Sequence, residues 1–171
     1  KSYTFAEGLR SALRQDPDVI MVREIRDNDT AGTAVQSYLT GHMVFSTLHT
    51  NNASGALPRL LDMQAEPYLL ASTITAIVGQ RVARKICPHC KVAYTPLPAV
   101  LEDIKTNLGK LWAVDPATSK QPVQLFKGKG CSECGNTGYL GRVGIFEVLP
   151  VSEKVGRLVL EHAPTSEIEA M

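Results

Sequence analysis

Two sets of residues have types and spacings suited to chemistry. The first is a quartet of cysteines in two pairs, Cys87-Pro-His-Cys90 and Cys131-Ser-Glu-Cys134. Two intervening residues let both sulfurs of a pair turn toward one point while backbone N–H groups face them. Two such pairs supply the four thiolates of a tetrahedral zinc site, with each sulfur about 2.3 Å from the metal. Three other readings compete: disulfides, a single redox-active pair, and unrelated free thiols. Disulfides belong to oxidising compartments, whereas no leader-like segment opens this chain and a reducing, cytosolic setting is expected. A redox pair leaves the second pair without a role. Zinc is the expectation, structural rather than catalytic, because no open coordination position or neighbouring general base is evident. His89 is a substitute ligand in principle, but four thiols already fill the site. The 40 residues between Cys90 and Cys131 exceed the roughly 15–20 of common zinc ribbons. Arg84, Lys85, Lys91, Lys127 and Lys129 flank the pairs and are expected to offset the charge of the thiolates.

The second set lies nearer the start. In Asp16-Pro-Asp-Val-Ile-Met-Val-Arg-Glu24-Ile-Arg-Asp27 a short apolar run ends in an acidic residue. A buried strand fixes such a carboxylate rigidly at the carboxyl edge of a parallel sheet, where it can hold magnesium or orient a water against a phosphate. Glu24 is the candidate base or water-orienting group. Four apolar residues and a glutamate are a weak signal alone, because any buried strand can end in a charge. A second run, Thr40-Gly-His42-Met-Val-Phe-Ser-Thr-Leu-His49-Thr50-Asn51, is flanked by two histidines. Its carboxyl end presents Ser46, Thr47 and His49, in reach of a γ-phosphate held beside a neighbouring strand. For either histidine alone, a structural hydrogen bond is the better expectation.

The elements that must position these groups follow from periodicity. Phe5, Leu9 and Leu13 recur at helical spacing over residues 4–15, with Thr4 as N-cap, and Asp16-Pro17-Asp18 ends that helix. Val19–Val22 reads as a strand buried on both faces. Thr30–Thr40 reads as a helix with Asp29 as N-cap and Gly41 as its stop. Met43–Phe45 reads as a second buried strand. A helix follows Asn51-Asn52, weakened early by Gly55 and Pro58, and Pro67 opens another through about Val78. Val82–Ile86 is extended and delivers the chain to Cys87. Residues 94–130 hold much of the proline and one amphipathic patch, Val100–Trp112, and read as an insertion packed on the metal site. Residues 138–142 form a turn and Val143–Val148 a strand. Ser166 and Glu169 have the spacing of a capping box that opens a last helix. Alternating strands and helices indicate an α/β fold with a parallel sheet.

Composition narrows the function classes. The 171 residues are 44% hydrophobic and 20% charged, enough for a real core. The 18 Lys and Arg against 17 Asp and Glu leave a net charge of +1, which argues against a dedicated nucleic-acid binder, although Lys127 and Lys129 keep that reading alive. No apolar run approaches the about 20 residues of a membrane-spanning helix. The chain opens on Lys1 and runs to Met171 in helix-like sequence, so it reads as a piece of something longer.

The segments RQDPDVIMVREIRD and TGHMVFSTLHTNNA resemble the Walker B and histidine-box segments of the secretion ATPases, the motors of type II secretion and type IV pilus assembly (the GspE/PilB group). CPHC and CSECGNTGYLGRVGIFEVLPV resemble the zinc element of the assembly-type members. The resemblance runs from Phe5 to Val151, weakest over 95–125. It implies the carboxyl-terminal part of a RecA-like P-loop NTPase sheet with a small tetracysteine zinc subdomain. The implied division is 1–86 for the ATPase part, 87–148 for the zinc subdomain and 149–171 for a truncated helical segment. It implies a homo-hexamer, peripheral on the cytoplasmic face of the inner membrane, that uses ATP and Mg2+ to drive a membrane platform protein, with no nucleic-acid partner. By the resemblance Glu24 is the catalytic glutamate, and His42 and His49 are the histidine-box residues. Arg26 supports the site or an adjoining subunit, Thr47 and Ser46 are strand-end candidates, and Gln80-Arg81 matches a family segment. Two departures stand out. Arg23 replaces the glycine usual before the glutamate, and no GxxxxGK[ST] phosphate loop or aspartate-rich box occurs in the 171 residues. The chain alone is therefore expected to bind ATP poorly. A rival reading from another class is a non-catalytic, zinc-stabilised protein-docking module.

Overall fold

The computed structural model describes residues 4–109 and 124–171, so Trp112 of the expected amphipathic patch lies outside the described residues. The chain is mixed α/β and divides into two compact units, Lys1–Arg81 with Phe146–Met171, and Val82–Ile145.

The first unit opens with helix α1 (Phe5–Leu13). Thr4 and Glu7 close a reciprocal capping box: the Glu7 N–H donates to Thr4 Oγ1 (3.2 Å) and the Thr4 N–H to Glu7 Oε2 (3.0 Å). Strand β1 (Val19–Val22) pairs in parallel with β2 (Met43–Ser46), Val19 opposite Met43 and Val22 opposite Ser46. The expectation of strands buried on both faces is corrected. Ile20 and Val22 enter the core, whereas Val19, Met21, Met43 and Phe45 are exposed. Successive side chains of a strand point to opposite faces. Among the described residues only one face of this two-stranded sheet is covered.

Helix α2 (Asn28–Leu39) starts earlier than Asp29 suggested. The N-cap is Asp27, whose extended backbone lets Oδ1 accept the Thr30 N–H at 2.8 Å, and Asp29 lies inside the first turn, where an acidic side chain suits the helix dipole. Gly41, at φ +97°, ends α2 in a Schellman turn: its N–H donates to Tyr38 O and that of His42 to Ser37 O. Helix α3 (Ala56–Asp62) tolerates Pro58 because the proline sits in the first turn, where its missing N–H would have no intrahelical partner.

Helix α4 (Pro67–Thr73) stops short of the expected Val78. Ile74 is already extended, and strand β3 runs over Ala76–Ile86. The run Thr73, Ile74, Thr75, Ile77 and Val78 is β-branched at nearly every position, and these stiff side chains favour a strand. β3 pairs with β6 (Tyr139–Pro150), a longer strand than its apolar run implied. Helix α6 (Glu153–Leu160), capped by Ser152, packs on α4, with Gly156 facing Ala71. Helix α7 (Thr165–Glu169) follows. Its expected capping box does not form, because Pro164 is the N-cap and Ser166 sits inside the helix, while Glu169 turns to other partners. Leu57, Leu70, Val155, Val159 and Ile168 form the fully enclosed centre of this unit.

In the second unit β4 (Lys91–Tyr94) pairs antiparallel with β5 (Leu125–Gly128), and α5 (Pro98–Leu108) buries no residue. Gly128 and Gly138 touch backbone to backbone. A Cβ on Gly128 would lie 2.1 Å from Gly138 O, so only glycine fits.

Candidate functional site

β1 ends at Val22, and the parallel pairing reaches just beyond the strands, where the Ile25 N–H donates to Thr47 O at 3.1 Å. Thr47 Oγ1 also donates to the Arg23 carbonyl oxygen. These bonds hold the Arg23–Ile25 segment against the end of β2 and fix where the Glu24 side chain leaves the sheet. Glu24 is the shielded member of a trio. Its side chain is 13% exposed, against 71% for Arg26 and 87% for His49. Arg26 Nη2 lies 2.6 Å from Glu24 Oε2, and His49 Nε2 lies 2.7 Å from Oε1. A carboxylate accepts only, so His49 presents its Nε2 as N–H. Both Glu24 oxygens therefore have one charge-assisted or polar partner, each with a lone pair left for a water or a cation.

The remaining expected residues fall elsewhere. His42 stands at the amino end of β2, the rim opposite to Glu24. Its Nδ1 lies 3.0 Å from Ser37 O and 3.1 Å from Thr40 Oγ1, tied to the end of α2. Ser46 makes only a long contact, 3.4 Å, with Thr47 O. Arg23, at the bend just past β1, lines an open depression of about 400 Å3 with Phe5, Leu9 and Met21. Arg81 reaches the loop after β2, where its Nη2 donates to Asn51 O at 2.6 Å. Two residues that sequence reasoning missed bind the same loop. Glu147 Oε2 accepts the Ala53 N–H at 2.9 Å, and Glu169 Oε1 accepts from Ser54 Oγ at 3.1 Å and from Asn52 Nδ2. Their partners lie 94 and 115–117 residues away, a separation at which no local pattern gives a signal.

The four cysteines come together in the second unit, their sulfurs all within 4.8 Å of one another, and none is disulfide-bonded. Cys87 Sγ lies 3.8 Å from Cys131 Sγ, Cys90 Sγ 4.0 Å from Cys134 Sγ, and Cys131 Sγ 3.7 Å from Cys134 Sγ. Four sulfurs at about 2.3 Å from a central ion stand about 3.8 Å apart along the edges of a tetrahedron. The cage thus has the size of a tetrahedral metal–thiolate centre. N–H groups face it as expected: those of Cys131 and Gly138 each lie 3.3 Å from Cys134 Sγ. Desolvation opposes ionisation of Cys134, but these N–H groups and the neighbouring thiols outweigh it and bring its pKa down to about 6. At Cys131 the Cys134 backbone bond pulls downward, yet desolvation and the other thiols push the pKa up to about 11. Desolvation raises Cys90 as well. Of the flanking cations, Arg84 lies over the Tyr139 ring at 4.1 Å, Lys91 over Phe126 at 3.8 Å and Lys127 over Tyr94 at 5.5 Å.

Among the described residues no helix is long and apolar enough to cross a membrane. The family model described as Type II/IV secretion system protein matches residues 1–171. The chain is 48% identical over 152 residues to the type II secretion system protein E of Klebsiella pneumoniae, covering 89% of this chain and 28% of that protein. It is 42% identical over 166 residues to the type IV pilus assembly ATPase TfpB of Acinetobacter baylyi, covering 97% and 27%. The chain therefore spans less than a third of these relatives. Its fold superimposes on the pilus retraction motor PilT with bound ADP at a TM-score of 0.61 and 26% identity, over 99% of this chain and 36% of that one.

Proposed function

Because the chain belongs to the Type II/IV secretion system protein family, we propose that it is the carboxyl-terminal part of a RecA-like, ATP-hydrolysing motor of type II secretion or type IV pilus assembly. The longer protein is proposed to act as a homo-hexamer, peripheral on the cytoplasmic face of the inner membrane, and to drive a membrane platform protein. Residues 1–86 belong to the ATPase part, 87–148 to a zinc subdomain and 149–171 to a carboxyl-terminal helical segment. The relatives' names, type II secretion system protein E and type IV pilus assembly ATPase, support the activity class.

One observation carries the site: Glu24 is a shielded carboxylate at the carboxyl end of a parallel strand, with one oxygen held by Arg26 and the other by His49. Glu24 orients the attacking water and accepts its proton. Arg26 holds one carboxylate oxygen and aims the group, and His49 fixes the second oxygen. Thr47 ties the Glu24 segment to β2, and His42 braces the far end of that strand. ATP with Mg2+ supplies the phosphoryl group to be transferred to water. Its phosphate loop is not among these 171 residues, so this chain alone hydrolyses ATP negligibly. The cysteine cage holds zinc as a structural ion, consistent with the sulfur spacing.

In the full-length protein, Glu24→Gln is expected to lower turnover by at least about a hundredfold while ATP binding stays within twofold, the effect of removing a general base. Unchanged turnover would sink the motor assignment and favour a passive docking module.

A further inference from the structure

His49 meets Glu24 through an imidazole that almost nothing packs against. An exposed ring keeps its rotamer freedom, so its aim depends on the backbone beneath it. That backbone is anchored on both sides. Before it, Thr47 is bonded to Ile25 and Arg23; beyond it, Asn51 O is held by Arg81. The next three residues are held by the two distant carboxylates, Glu147 on β6 and Glu169 on α7. Ala53 and Ser54 are each 1% exposed, so their donors have no water to turn to. Room for the Ala53–Glu147 bond is left by Gly79 of β3: a Cβ there would lie 3.0 Å from Glu147 Oε2 and 3.2 Å from Ala53 N.

We propose that Glu147 and Glu169 are positioning residues for the Glu24–His49 pair, clamping the loop of residues 47–55 so that the His49 ring stays in hydrogen-bond reach of Glu24. The inference rests on the reading of Glu24 given above. Only residues 48–51 lie between Thr47 and the carboxylate-held Asn52–Ser54; with those bonds lost, the single Arg81 bond to Asn51 O is left on the far side and the ring swings out to solvent.

The test uses the full-length protein, with steady-state ATPase kinetics and the affinity for a non-hydrolysable ATP analogue. Glu147→Ala and Glu169→Ala are each expected to lower kcat about tenfold, the scale of one hydrogen bond to a charged group, with analogue affinity within twofold. Glu147→Gln keeps an acceptor oxygen and restores kcat to within about twofold of the parent. On a His49→Ala background, Glu147→Ala costs less than a further twofold, because no ring remains to be positioned. Parental kcat in Glu147→Ala, a loss that glutamine does not rescue, or full additivity with His49→Ala would each overturn the clamp. If Glu147→Ala does not fold, Gly79→Ala, which crowds the same bond, takes its place with the same readouts. Glu24→Gln run in parallel separates the two ideas. Turnover kept there overturns the site and the clamp together, whereas turnover lost there with Glu147→Ala neutral overturns the clamp alone.

Discussion

Removing metal from the cysteine cage should unfold the second unit and leave the first standing. Among the described residues of Val82–Ile145 the buried positions are Cys87, Cys134 and Gly138, all at the cage itself. A fully buried Leu or Val contributes about 1.5–3 kcal/mol, and this unit has none among those residues. Structural zinc contributes on the order of 10 kcal/mol or more, the equivalent of roughly four such side chains by the same scale. With the ion gone, the β4–β5 ribbon is a two-stranded ribbon without a core, marginal in water. The first unit keeps Leu57, Leu70, Val155, Val159 and Ile168 enclosed and needs no metal. The assay is zinc content by atomic emission, followed by peptide-resolved hydrogen exchange before and after a strong chelator. One zinc per chain is expected. Amides of Lys91–Tyr94 and of 139–145 should lose protection by at least about a thousandfold, a loss of about 4 kcal/mol. Those of α4 and α6 should change little. Cys134→Ser, which breaks the cage from within, should reproduce the pattern without chelator. A metal-free protein with β4 and β6 still protected would refute the reasoning, because something other than the ion would then have to hold the unit together.

Other consequences are simpler to measure. Leu57→Ala empties a fully enclosed position of the first unit and should cost about 2–5 kcal/mol in urea unfolding. Asp27→Ala should cost about 1 kcal/mol through the lost N-cap of α2, whereas Asp29→Ala should cost only a few tenths through the helix dipole; equal costs would contradict the cap assignment.

Much of the local structure was legible because its causes are local. Thr4 was readable as the N-cap of α1, and the box it closes with Glu7, three residues on, needs nothing else. Pro67 opens α4 as its fixed φ dictates. The errors came where local signals tie. Asp27 and Asp29 are equally good caps on paper, and the winner is the one whose backbone is extended. The Pro67–Val78 stretch carries both a helix opening and a β-branched run, and pairing of β3 with β6 gives the run to the strand. Val19, Met21, Met43 and Phe45 have the composition of strands buried on both faces, but burial depends on what lies across the sheet. Of the candidate site, Glu24 was readable from an apolar run ending in an acid. Its partners were named as residues but not as a trio, since Arg26 and His49 reach it from loops.

The sequence by itself determined the mixed α/β character, the family to which the chain belongs, the pairing of each CxxC within itself and the acidic strand end. Each of these lives in residue type and short spacing, which survive whatever the rest of the chain does. Only the tertiary structure decided that Cys87 and Cys90 meet Cys131 and Cys134 at the edge lengths of a tetrahedron, that His42 and His49 part company at opposite ends of β2, and that Glu147 and Glu169 close on the loop beside the site. Hydrogen bonds and metal cages are short-range, so which distant groups come within about 3–4 Å is set by how the elements pack rather than by any pattern along the chain.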